Sequence, residues 1–108
     1  MNFEVEVTLC FKKQAKRLAK KYPSLPSELR ELISSLEKSP TQGTMIGRGC
    51  YKIRLSIASK SKGKSGGGRV ITHVQVSKNT VYLVSIYDKS EMESIQPSDL
   101  SGLLNLIP

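Results

Sequence analysis

Lys52 and Arg54 stand two residues apart in an alternating run, and Arg69 opens a second such run beyond a glycine-rich connection. Side chains two apart on a strand share a face, so Lys52 and Arg54 point the same way. An antiparallel partner can bring Arg69 beside them. Three cations on ordered backbone suit one task well: holding a phosphodiester and stabilising the charge that builds on its oxygens during phosphoryl transfer. The competing reading is a sheet whose outer face is merely polar. The surrounding sequence favours a polyanion, because Lys38 to Asp88 contains no acid in between and eight Lys or Arg. An excess of one sign on a sheet and its loop is the electrostatic footprint expected of a nucleic-acid partner.

Further candidates surround that trio. Lys60, Lys62 and Lys64 punctuate a Ser/Gly connection, and Arg48 lies between two glycines just upstream. They are expected to track the phosphate backbone of a polyanion such as RNA, each neutralised phosphate steepening the salt dependence by roughly one unit. A solvated hairpin tip would carry the same residues. His73 has the strand parity of Arg69 and is a candidate general base, although a lone histidine is more often structural. Ala58 to Ser65 formally fits a permissive phosphate-loop pattern. Such loops cradle phosphate at a helix N-terminus, and a β-patterned run follows here, so a hairpin connection is the better reading. Cys10 and Cys50 with one histidine are too few for a zinc site or a disulfide framework. No metal and no cofactor is expected, and reduced thiols fit a cytoplasmic protein.

These residues need elements to hold them. Phe3, Val5 and Val7 alternate with polar residues, which predicts a short strand. From Cys10 to Tyr22 the period becomes helical, with Phe11, Ala15, Leu18, Ala19 and Tyr22 on one side. Lys12, Lys13, Lys16, Arg17, Lys20 and Lys21 cover the rest. Pro23 ends this helix. Leu29, Leu32, Ile33 and Leu36 predict a second one, capped by Ser24 or Ser27 and reached by a turn of four or five residues. Residues 41–49 read as loop. Strands are expected from Tyr51, from Arg69 to Val76 and from Thr80 to Tyr87, the last buried on both faces. Leu100, Leu103, Leu104 and Ile107 predict a C-terminal helix.

The order is βααβββα: an α+β fold with an N-terminal helical hairpin and a C-terminal helix packed on a mainly antiparallel sheet. With 108 residues, 38% of them hydrophobic, one domain over residues 1–108 is expected. The net charge is +8, from 17 Lys and Arg against 9 Asp and Glu. No stretch approaches the roughly 20 apolar residues of a membrane span, so no membrane partner is expected.

Three segments carry a family resemblance: Cys50-Tyr-Lys-Ile-Arg-Leu55, the Gly-Lys-x-Gly-Gly-x-Arg connection at 63–69, and Val81-Tyr-Leu-Val-Ser-Ile-Tyr-Asp-Lys-Ser-Glu91. In this order and spacing they resemble the RelE/ParE superfamily of type II toxin–antitoxin toxins, closest to the HigB-like RelE branch. The two N-terminal helices, the Ser39-Pro40 stop and the Gly43 loop fit as well. The resemblance implies a ribosome-dependent endoribonuclease that cuts translated mRNA, with the 2′-OH attacking the adjacent phosphate. It implies a cognate antitoxin, the ribosome and mRNA as partners. It also matches Lys52, Arg54 and Arg69 to the family's cationic cluster, and Lys89 to the basic residue after the last strand.

This sequence departs from the family in two places. Ser90 stands where a second basic residue is frequent, and the late tyrosine or His-Tyr terminus is absent. The general base is therefore open among a lysine of the cluster, Tyr87 and His73. Two other functions are weighed. One is a ParE-like inhibitor of DNA gyrase, against which Lys52, Arg54 and Arg69 argue because ParE-like sheets tend to lack that cluster. The other is a non-catalytic module that binds RNA or the ribosome through the same basic surface.

Overall fold

Two apolar helix stripes meet one face of a five-stranded sheet, and a third helix covers part of the other face. In this computed structural model, residues 2–59, 67–91, 97–105 and 107 are described. The elements are β1 (Glu4–Val7), α1 (Leu9–Lys21), α2 (Leu25–Lys38), β2 (Thr44–Gly47), β3 (Cys50–Leu55), β4 (Gly68–Gln75), β5 (Thr80–Asp88) and α3 (Pro97–Leu104). The sheet order is β1-β5-β4-β3-β2, with β1 parallel to β5 and every other pairing antiparallel. This is the expected α+β arrangement, with one strand more than the sequence suggested.

The N-terminal hairpin forms for the reasons its residues give. Thr8 caps α1, its Oγ1 accepting the Phe11 N–H at 3.3 Å and donating to the Leu83 carbonyl at 3.0 Å. A single hydroxyl thus starts the helix and fastens it to β5. Lys20 and Lys21 complement the negative end of its dipole. Only Tyr22, Pro23 and Ser24 separate the two helices, a tighter turn than expected. Ser24 occupies the cap position of α2, but its side chain accepts no backbone N–H of the helix. Its Oγ lies 2.8 Å from Ser59 Oγ and donates to Glu28, which also accepts the Ala58 N–H at 2.7 Å. The predicted cap therefore ties α2 to the chain beyond β3.

Residues 44–47, read from sequence as loop, form β2. Its register runs Thr44 to Lys52, Met45 to Tyr51 and Gly47 to Cys50. Glycines at 43, 47 and 49 disguise an edge strand too short and too exposed to show an alternating pattern. The turn that follows is left-handed through Gly47, Arg48 and Gly49, at φ of 103°, 54° and 72°. For Arg48 that backbone is strained.

The core has two parts. Ile53, Leu55, Ile57, Val70, Val81, Leu83 and Ile86 pack against Phe11, Leu18, Leu25, Leu32 and Leu36 of the hairpin. Each fully buried aliphatic side chain contributes about 1.5–3 kcal/mol relative to exposure. On the other face Cys50, Ile71, Tyr82, Val84 and Tyr87 lie under Leu100, Leu103 and Leu104 of α3. An irregularity sets which β5 residue faces which side. Ile71 is opposite Ser85 and Thr72 opposite Leu83, so Val84 is an extra residue, a β-bulge. It places Tyr87 on the α3 side with Tyr82 and Val84, and leaves Asp88 toward the hairpin. Among the described residues, no helix is long and apolar enough to cross a membrane.

Candidate functional site

The cations singled out by sequence converge. A cavity of about 300 Å³ is lined by Gly43, Thr44, Lys52, Arg54, Arg69 and Lys89. Alternation on β3 sends Ile53 and Leu55 into the hairpin core and leaves Lys52 and Arg54 on the opposite face. The β3–β4 register puts Arg69 directly across from Arg54, and the β4–β5 register puts Tyr87 across from Arg69. Arg54, Arg69 and Tyr87 thus form one row across three strands. Among the described residues, none that lines it is acidic.

The four cations differ in how they are held. Arg54 is exposed and Lys52 half-buried, whereas Arg69 is only 6% exposed, its Nη1 donating to the Gly68 carbonyl at 3.0 Å. Lys89 is the first residue beyond β5, and its N–H donates to the Gly67 carbonyl at 3.2 Å. Gly67 is at φ +63°, where a Cβ would run into the Leu55 carbonyl. Gly43, in the wall of the cavity, is under similar pressure: at φ +94° its Cβ would meet the Lys52 carbonyl. Both glycines are needed for the close backbone approach that shapes the site.

The general-base candidates fare differently. Tyr87 is in the cationic row but is 4% exposed, packed in the cluster beneath α3, and outside the set of lining residues. His73 shares the parity of Arg69, as expected, yet is four residues further along β4, about 13 Å at the usual strand rise. It is paired with Cys50, whose Sγ is 3.5 Å from Nδ1, and is absent from the cavity lining. Burial lowers the His73 pKa from the ordinary imidazole value, partly offset by a hydrogen bond with the backbone of Arg48. Burial also pushes the Cys50 thiol up to about 11, so it is a neutral packing group.

Arg48 is exposed at the β2–β3 turn, and its Nη1 donates to Ser101 Oγ of α3 at 2.7 Å. Lys60, Lys62 and Lys64 lie outside the described residues, as does Glu93. Among the described residues, the cationic face of α1 is interrupted where Arg17 makes a two-pronged bridge to Glu91 at 2.9 and 3.3 Å. Among the described residues, no cluster of His, Cys, Asp and Glu is suited to hold a metal ion.

The sequence marks Asp88, Glu91 and Glu93 after the last strand as acids that orient cations or cap the sheet edge, and it puts Tyr22 on the apolar side of α1. It does not show that Asp88 and Tyr22 are partners. Asp88 is fully buried and its Oδ2 accepts the Tyr22 hydroxyl at 2.6 Å, while Oδ1 accepts the Ser90 N–H and hydroxyl at 2.9 and 2.8 Å. A hydrophobic-periodicity argument places Tyr22 in the core and gives its hydroxyl no partner. The one available signal is that a buried tyrosine hydroxyl usually has a hydrogen-bonding partner. Thr44 of the unforeseen strand β2 is a further lining residue that sequence did not anticipate.

Comparison with known proteins agrees with this architecture. A double mutant of the E. coli toxin RelE, solved in the free state, superposes over 100% of both chains with a TM-score of 0.66 at 19% identity. At that identity the likeness establishes the fold. The family model described as "RelE toxin of RelE / RelB toxin-antitoxin system" matches residues 8–107, which include both helices of the hairpin and all four cavity cations. The chain belongs to the RelE family of toxin–antitoxin toxins.

Proposed function

We propose that this toxin is a ribosome-dependent endoribonuclease that cuts mRNA, and that the cavity between β3, β4 and the residue after β5 receives the scissile phosphate. One observation carries the reading: Lys52, Arg54, Arg69 and Lys89 converge on a single cavity. Four cations converging on one cavity suit a phosphodiester, whose negative charge grows in the transition state. RNA supplies its own nucleophile. The 2′-OH attacks the adjacent phosphorus, the bond to the 5′-oxygen breaks, and the products are a 2′,3′-cyclic phosphate and a 5′-OH.

In this mechanism the Arg54–Arg69 pair holds the non-bridging oxygens, because planar guanidinium groups match phosphate geometry. Lys52 and Lys89 flank the pair as point charges, placed to influence the attacking and leaving oxygens. The proton of the 2′-OH is taken up by a lysine of the cluster in its neutral amine form, or by a group that the mRNA or ribosome contributes, and the departing 5′-oxygen receives a proton from the other lysine's ammonium. His73 is too remote, and Tyr87 is packed beneath α3. The family implies a cognate antitoxin, which would act by covering the basic face or by displacing the C-terminal helix. The ribosome and its mRNA are the other partners.

The test is a translating extract in which 5′ ends are mapped on a reporter mRNA. Wild type should give codon-phased ends bearing 5′-OH, and Arg69→Ala should lower their yield by roughly 10²-fold or more. Intact mRNA together with trapped gyrase–DNA complexes would instead establish a ParE-like toxin. Ribosome binding with neither effect would leave a non-catalytic module.

A further inference from the structure

We propose that Tyr22 and Asp88 are positioning residues for Lys89, an assignment that rests on the nuclease reading for its catalytic consequence. Of the four cavity cations, Lys52, Arg54 and Arg69 belong to strands β3 and β4, where the hydrogen-bond ladder fixes their backbone. Lys89 is the exception, because it stands just past the end of β5. Its backbone keeps a single cross-sheet bond, to the Gly67 carbonyl, and the turn beyond it must be set by other groups.

The carboxylate of Asp88 is placed to do so. The β-bulge at Val84 directs Asp88 toward the helical hairpin, and there Tyr22, at the C-terminal end of α1, donates its hydroxyl to Oδ2 at 2.6 Å. The other oxygen takes the Ser90 N–H and Oγ at 2.9 and 2.8 Å, so the carboxylate brackets Lys89 from the residue before to the residue after. The turn closes through Glu91 N–H to the Asp88 carbonyl at 2.9 Å, and Arg17 of α1 grips the Glu91 carboxylate. Across the sheet, Gly67 accepts the N–H of Lys89 itself.

A simpler account is that Asp88 merely ends a strand. Ending a strand does not require a fully buried carboxylate, and burying one is unfavourable unless its bonds are specific and well made. Here each of these bonds fixes a neighbour of the one cavity cation that stands outside the strands themselves. Hydrogen bonds to a carboxylate are also the strong kind, suited to holding a turn within the narrow tolerance that catalytic geometry demands.

The experiment is a double-mutant cycle between Tyr22→Phe, which deletes one hydroxyl and keeps the ring, and Lys89→Ala. It is read first in cleavage on programmed ribosomes. Tyr22→Phe should lower kcat by roughly 10- to 100-fold with KM for the ribosome little changed. The pair Tyr22→Phe/Lys89→Ala should be no slower than Lys89→Ala alone, since a residue acting through Lys89 has nothing left to act on.

The cycle is read again, without turnover, by NMR titration of the isolated protein with an RNA trinucleotide 2′-O-methylated at the attacking position. Tyr22→Phe should weaken binding in the presence of Lys89 and leave it unchanged in its absence. Asp88→Asn provides a second variant, which keeps an acceptor for Ser90 and should show the same coupling. Coupling in either readout supports the assignment, and losses that multiply in both overturn it. Coupling in the titration with a wild-type chain that cuts no mRNA would remove the nuclease reading and leave the positioning role intact.

Discussion

Arg54, Arg69 and Tyr87 owe their common row to strand register, whereas His73, equally well matched in parity, is excluded by distance along β4. That contrast yields a prediction at single-residue scale. The His73 pKa is lowered by burial, so protonation favours the unfolded chain. Stability present at neutral pH is therefore lost as pH falls below the ordinary 6.5 toward the lowered native value. His73→Gln should flatten urea midpoints across that window, between about pH 7 and the native value, while leaving mRNA cleavage within about twofold. A second acid limb should remain. Arg17 holds the Glu91 carboxyl below its ordinary 4.5, so that contribution is present above 4.5 and disappears as pH falls through the native value.

Legibility also differs residue by residue. Lys52 and Arg54 could be read because Ile53 and Leu55 alternate with them, and Arg69 because it opens the next run. Val81 to Tyr87 is apolar almost throughout, so neither the bulge nor the side taken by Tyr87 and Asp88 leaves a mark in the pattern. The pairing of Asp88 with Tyr22 depends on that bulge and on a contact spanning 66 residues.

Among the elements, α1, α2, β3, β4 and β5 were legible because each presents a full period of its own geometry. β2 was not, since four residues between glycines carry no period and its partner supplies most of its definition. Two glycines of the described elements should respond to alanine in opposite directions. Gly67 is left-handed and faces the Leu55 carbonyl, so Gly67→Ala should destabilise by about 1–3 kcal/mol and disturb the Lys89 turn that it supports. Gly102 lies inside α3 with nothing within 4 Å of its missing Cβ. Gly102→Ala should stabilise by about 0.5–1 kcal/mol through the lower conformational entropy of the unfolded chain. Urea unfolding of both variants gives the comparison.

For the whole molecule, a net charge of +8 on 108 residues makes association with RNA strongly dependent on salt. If the four cavity cations each neutralise one phosphate of a single-stranded message, log affinity against log salt should slope at about −3, measured with a 2′-O-methylated oligonucleotide. A slope steeper than that would signal contacts beyond the cavity. Replacing Lys52 by alanine should reduce the slope by about 0.7, the signature of one lost phosphate contact. A slope unchanged by that substitution would remove Lys52 from the RNA interface.

The parallel pairing of β1 with β5 joins the first strand of the chain to the last. Synthesis runs from the N-terminus, so a nascent chain has made β1 and both helices of the hairpin long before Thr80–Leu83 exist to receive β1. Lys89, Asp88 and the bulge arrive in the same late stretch. The cationic cavity therefore cannot assemble while the chain is still being elongated through its middle. If the cavity is the nuclease centre proposed above, this topology keeps the toxin inert toward the ribosome that is making it until β5 and Lys89 have been translated.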